Sequence, residues 1–252
     1  MVVERIEVGD GYAAAHRVGI GGREGRVLIV PPFGVPAEVL GIVADDLANR
    51  GFEAITLDVR NHVGRGSGLM LDYRLSAVAE DCEAAIVRYR PTAVLGLSLG
   101  ARALLRATSR LYASPTTVLM IPVVDLRSTL QAVIGEDVLT REKAPAVQRV
   151  LGRKVRTSSF IDDALLHDFF SPVGTQRDLL EHNGPVTLLP ADQDPWIDLA
   201  TVARVADGAG VDVVPVPCDQ HELHKHPEMA MRMIGAAIDE LVRAHRLASV
   251  AA

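Results

Sequence analysis

The sequence predicts a doubly wound α/β fold: a mostly parallel central sheet, helices on both faces, and a cap inserted late in the chain. Three observations predict it. Strand-like apolar runs alternate with runs of helical spacing from Arg26 to Ala107, and strict alternation means right-handed crossovers between parallel strands. One strand meets one helix at Gly96-Leu97-Ser98-Leu99-Gly100, a glycine-flanked sharp turn that brings strand and helix close together. The chain has 252 residues, 48% of them hydrophobic, which suffices for one domain with its own core.

The first elements are Arg5-Ile6-Glu7-Val8 and His16-Arg17-Val18-Gly19-Ile20, alternating runs on either side of Gly9-Asp10-Gly11. They predict an antiparallel pair at one edge of the sheet. Arg26 to Val30 is an apolar strand that stops at Pro31-Pro32-Phe33-Gly34, where neither helix nor ladder can continue. Val39 to Asn49 is helical through Val39, Ile42, Val43 and Leu47, and Gly51 marks its end. Phe52 to Leu57 is the next strand and delivers Asp58 to a glycine-rich loop ending at Gly68. Ser76 to Tyr89 is helical, Thr92 to Gly96 is the strand before the sharp turn, and Ala101 to Ala107 is the helix after it. Three further strands are predicted at Thr116 to Val124, Val186 to Ala191 and Val211 to Val216.

Between the first two of these lie about sixty residues, against the roughly 2–6 of an ordinary αβ connection. Residues 126–183 are therefore expected to form a cap between two core segments, 1–125 and 184–252. Three of the chain's five phenylalanines, Phe160, Phe169 and Phe170, fall in it. An apolar cover above the strand ends is what an apolar acyl substrate needs. Residues 141–156 gather Arg141, Lys143, Arg149, Arg153, Lys154 and Arg156 against the single acid Glu142. Such a run reads either as a solvated helix face or as a landing site for an acidic carrier protein or a phosphopantetheine phosphate.

Net charge of −6 and only 4% aromatic residues argue against nucleic-acid binding. Cys82 and Cys218 are too far apart in sequence for a disulfide framework or a zinc pattern, which suits a reducing compartment. Glu4, Glu7 and Asp10 stand where a secretory leader would be apolar, and no run approaches the roughly 18 apolar residues of a membrane span. The expectation is a cytoplasmic protein without membrane partner or cofactor, its subunit number open.

The chemistry gathers around Ser98. A serine lifted on a strained strand-to-helix turn is exposed above the sheet, and the amide of Leu99 points to where an oxyanion forms. The loop after the Arg26–Val30 strand supplies a second donor in such sites, and Phe33 is the candidate because Pro31 and Pro32 have no N–H. Serine needs a histidine to take its proton and a carboxylate to orient that histidine. In the order Ser, acid, His, the turns after the last two strands offer Asp194 and His221. Asp192 is the second choice of acid and Asp125 the third. His224 and His226 follow closely, but His221-Glu222-Leu223-His224-Lys225 lacks the H-E-x-x-H spacing, so no metal site is expected.

Together the Gly96–Gly100 motif, the Asp194 turn and His221 resemble the α/β-hydrolase superfamily over nearly the whole chain. A closer resemblance is to the acyl transferases of bacterial bioluminescence, which act as myristoyl-carrier-protein thioesterases. It rests on Asn61-His62-Val63-Gly64 with Gly66-Ser67-Gly68, on Val124-Asp125-Leu126-Arg127-Ser128-Thr129-Leu130, on Asp194-Pro195-Trp196-Ile197 and on His221-Glu222-Leu223. In that family the serine has bulkier or non-glycine neighbours, whereas here the G-x-S-x-G is regular. The resemblance implies Ser98, Asp194 and His221 as a triad, an acyl-enzyme formed from a thioester or ester carried on an acyl carrier protein or coenzyme A, and Phe33, His62 and Trp196 beside the substrate. Two rivals remain from the sequence: an elimination or cyclisation in which His221 acts as base without acylation of Ser98, and a catalytically silent ligand-binding protein.

Overall fold

In the computed structural model, which describes residues 1–139 and 146–251, the alternation of strand and helix closes into one eight-stranded sheet. At its edge, β1 (Val2–Val8) and β2 (Gly11–Val18) form an antiparallel hairpin with Val2 opposite Arg17. Next, β2 pairs antiparallel with β4 (Phe52–Asp58). All later neighbours are parallel: β3 (Gly25–Val30), β5 (Ala93–Leu97), β6 (Thr116–Met120), β9 (Val186–Leu189) and β10 (Asp212–Val213). The spatial order is β1-β2-β4-β3-β5-β6-β9-β10.

Two strands are shorter than their apolar runs. The strand expected to reach Val124 ends at Met120, because Ile121 turns into the left-handed region (φ 44°) and Pro122 has no N–H to give. The last strand is regular only over Asp212–Val213, since Pro215 and Pro217 interrupt the ladder. Backbone pairing still continues past the break: Val214 and Val216 donate to Leu188 and Pro190, at 2.9 Å each.

The strands read as continuous apolar runs because both faces are covered. Val27 and Ile29 point to the layer of α1 (Gly41–Asn49) and α8 (Pro227–Ala251), meeting Val43, Leu47, Ile238 and Leu241. Leu28 and Val30 point the other way, to α2 (Leu75–Tyr89) and α3 (Ser98–Ser109).

Residues 126–183 contain α4 (Leu126–Ile134), a hairpin of β7 (Gln148–Val150) and β8 (Arg153–Val155), α5 (Thr157–Leu166) and α6 (Pro172–Glu181). The hairpin had no sequence signal of its own. Arg149, Arg153, Lys154 and Arg156 lie on or beside it, while Arg141, Glu142 and Lys143 lie outside the described residues. Helix α6 packs on α3 and on α7 (Leu199–Asp207). There the buried Arg102 and Arg106 both pair with Asp178, and the Phe169 ring lies against the two guanidiniums at 5.0 and 4.7 Å. Where the segment leaves and re-enters the body, its two ends are tied. Arg127 N–H donates to Phe170 O (3.3 Å), and the Thr175 hydroxyl donates to Val124 O (2.8 Å). No described helix is long and apolar enough to cross a membrane.

Candidate active site

Glycine geometry explains how Ser98 is raised. A Cβ at Gly96 would lie 2.7 Å from the Ala101 Cα, so only glycine lets strand β5 and helix α3 pass this closely. Ser98 itself takes φ 50°, a left-handed conformation rare for a non-glycine residue, and it is the first residue of α3. A Cβ at Gly100 would overlap the Pro31 carbonyl oxygen. The loop after β3 therefore lies directly against the N-terminus of α3.

Near that contact Phe33 and Leu99 both line the cavity at Ser98. Leu99 is in the first turn of α3, so its N–H has no acceptor within the helix. In the β3 loop Gly34 N–H donates to His62 Nε2 (2.8 Å) and Val35 N–H to Pro32 O (3.3 Å). Among the described residues no hydrogen bond engages the Phe33 N–H.

The loops after β9 and β10 are laced together. Asp192 N–H donates to Val216 O (3.0 Å), Gln193 N–H to Cys218 O (3.1 Å), and Cys218 N–H to the Asp192 carboxylate (2.9 Å). Asp194 and His221 are brought face to face at their ends. His221 Nδ1 and Asp194 Oδ2 are 2.7 Å apart, and the other carboxylate oxygen accepts N–H groups from Trp196 (2.8 Å) and Ile197 (3.1 Å). With Nδ1–H turned to the carboxylate, Nε2 is the acceptor. Ser98 Oγ lies 2.7 Å from that Nε2, and the Trp196 ring packs on the imidazole at 4.6 Å between centroids. Asp192 is spent on Cys218, and Asp125 caps α4 by accepting from Ser128 N–H (3.1 Å). Among the described residues no group of three or more His, Cys, Asp or Glu side chains is arranged to hold a metal ion.

His62 stands apart from the other expected substrate contacts. It is 6% exposed and lines neither cavity beside Ser98. Its ring supports the loop from below, accepting from Gly34 N–H, with Nδ1 3.2 Å from Val63 O. Burial pulls its pKa down to about 4, so the acceptor nitrogen stays unprotonated near neutrality. From above, Arg153 on the β7–β8 hairpin donates Nη2–H to Gly34 O (2.9 Å). The Gly34 residue is thus held on both sides. Asp58, at the end of β4, braces the same region: it accepts from Ala37 N–H (2.7 Å) and Arg65 N–H (2.9 Å) and contacts His16 Nε2 at 2.8 Å. Its delivery to a loop is readable from sequence, but these long-range partners are not.

Two cavities meet at Ser98 and His221, with Phe33 and Trp196 in the walls of both. One, about 650 Å³ with its opening to solvent, runs under the inserted segment between Leu130, Val133, Val138, Val150, Val155 and Phe160, and its lining is almost wholly apolar. The other, about 1240 Å³ with its open mouth, runs between the β3 loop and the start of α8.

The sequence model of the acyl transferase family matches residues 18–210. The chain belongs to that family. The acyl transferase of Photobacterium leiognathi is 26% identical over 182 residues, which cover 69% of this chain and 58% of that protein. The chain spans about three fifths of the length of the curated acyl transferases it matches and shares its architecture with solved structures of low identity. Ferulic-acid-bound Est1E from Butyrivibrio proteoclasticus has a TM-score of 0.74 at 15% identity, covering 95% of this chain and 99% of that one. A thioesterase domain from the curacin biosynthetic pathway has a TM-score of 0.65 at 17% identity, covering 96% and 98%. This member of the acyl transferase family has the α/β-hydrolase fold.

Proposed function

We propose that the protein is a serine hydrolase or acyl transferase acting on esters or thioesters of an apolar acyl group. The observation that carries this reading is the hydrogen-bonded chain Ser98–His221–Asp194, with both links at 2.7 Å, opening directly into an apolar-lined cavity. Ser98 Oγ attacks the acyl carbonyl while His221 Nε2 takes its proton. The Phe33 and Leu99 N–H groups receive the negative oxygen, each donor contributing about 2.7–4 kcal/mol in comparable sites. His221 then returns the proton to the departing alcohol or thiol, and Asp194 stabilises the imidazolium between the two transfers. Water or a second alcohol resolves the acyl-enzyme by the reverse path. Helix α4, the β7–β8 hairpin and α5 serve as a lid, and their apolar underside holds the acyl chain.

The test is intact-protein mass after brief exposure to p-nitrophenyl esters of graded acyl length, on wild type, Ser98→Ala and His221→Ala. The expected result is a transient acyl adduct on wild type that Ser98→Ala lacks. No adduct and no p-nitrophenol at any length would refute acyl transfer and leave elimination or simple binding.

A further inference from the structure

We propose that the second cavity seats the leaving group and the acceptor, and that this group is an alcohol with an apolar body. The inference rests on Ser98 being the acylated residue. It begins from the direction of proton transfer: the departing atom must face His221 Nε2 to receive its proton. The chain that continues from His221 walls the second cavity alone, through Leu223 and His224, and then through Ala230, Met231 and Ile234 of α8. The first cavity alone is walled by α4, Val150, Val155 and Phe160, while Leu151 of the hairpin lines both. An acyl ester bound across Ser98 therefore divides, its acid part under the lid and its alcohol part against α8.

The wall chemistry decides the class of alcohol. Its polar side chains are Ser98 and His221 at the reaction centre and Arg153, Glu222 and His224. Of these, Arg153 is engaged by Gly34 O and Glu222 by Lys225 (2.7 Å). The interior is aliphatic, from Leu40, Leu97, Met120 and Ile234. Along that aliphatic stretch an amide-rich carrier arm meets few partners for its N–H and C=O groups, whereas an alkyl or aryl body has no polar group to strand. The mouth agrees. Val39, Ile42 and Met231 are each about half exposed around it, at 51%, 50% and 51%, which is unusual for large apolar side chains gathered in one place.

In the transfer direction the atoms balance without a further reactant. The acceptor O–H gives its proton to His221 Nε2, its oxygen bonds to the acyl carbon, the carbon–Oγ bond breaks, and Ser98 recovers the proton. The product is an ester with both ends apolar.

Two ester series test this. One holds a hexanoyl group and lengthens the alcohol from methyl to octyl; the other holds methanol and lengthens the acid. Wild type should gain at least about tenfold in kcat/KM along the alcohol series, as successive methylenes are buried. Met231→Trp, at the mouth, should flatten the alcohol dependence and keep the acyl dependence. Val133→Trp, in the first cavity, should do the reverse. With 1-octanol present, the acyl-enzyme should yield octyl hexanoate in competition with hexanoate. A flat alcohol series, or hexanoyl-pantetheine outrunning S-octyl thiohexanoate, would overturn the inference while acylation of Ser98 still stands. Absence of any Ser98 adduct would instead overturn the reading beneath it.

Discussion

Replacing His62 with leucine separates the support of the β3 loop from the chemistry it serves. Leucine is close to histidine in volume, so little cavity opens, but the acceptor for Gly34 N–H at 2.8 Å is lost. A buried N–H left unpaired costs about 1–3 kcal/mol, and the loop can relieve that cost only by moving. Phe33, one residue away and the donor proposed for the oxyanion, moves with it. A misplacement of about 1 Å costs on the order of 10²-fold in rate, and complete loss of one oxyanion donor about 10²–10³-fold. His62→Leu should therefore lower kcat by about 30–100-fold, with KM within about twofold, because a misplaced donor weakens the transition state more than the bound substrate. His62→Gln puts an amide oxygen near the position of Nε2 and should recover most of the rate. The assay is p-nitrophenyl ester turnover, joined to the affinity of a trifluoromethyl ketone that forms a tetrahedral adduct on the serine. That affinity should fall in parallel with kcat. The reasoning fails if leucine and glutamine variants lose rate equally, or if the leucine variant loses stability but keeps kcat.

Other consequences follow from the same contacts. Asp194→Asn should leave Ser98 and His221 in place but cut kcat by up to about 10⁴-fold, as in serine proteases where the orienting aspartate is amidated, measured by steady-state turnover. Gly100→Ala puts a methyl against the Pro31 carbonyl and should cost turnover even where circular dichroism shows a folded protein. His62 also gives a pH signature. Its folded pKa of about 4 lies below the ordinary 6.5, so the unfolded chain binds the proton first and stability is lost as pH falls from 6.5 towards 4. The loss amounts to about 3 kcal/mol. Urea midpoints of His62→Gln should fall less steeply with pH over that window than those of wild type.

The parts of the site that sequence could name are those fixed by local backbone geometry. Gly96, Ser98 and Gly100 follow from one tight turn, and Asp194 and His221 from the rule that loops at the carboxyl ends of parallel strands converge. What stayed hidden depends on groups meeting across long separations. Nothing near His62 announces that its ring will accept from Gly34, or that Asp58 will reach Ala37. The hairpin hid for another reason. Its strands are three residues each, rich in arginine and joined at Leu151-Gly152, where Leu151 takes φ 47°, so neither alternation nor a favoured turn pair marks it. Prolines 215 and 217 are visible in sequence and explain in retrospect why β10 is brief.

The neck between Val124–Arg127 and Phe170–Thr175 bears on how such proteins diversify. Closing both ends with hydrogen bonds to main-chain carbonyls makes the intervening chain a cassette. Its length adds only slowly to the entropy of a loop whose ends are already pinned, and neither tie uses a residue of the Ser98–His221–Asp194 chain. New covers can therefore be exchanged at this joint while Ser98, His221 and the sheet stay as they are, so a lineage can change what it accepts without rebuilding the rest of the site.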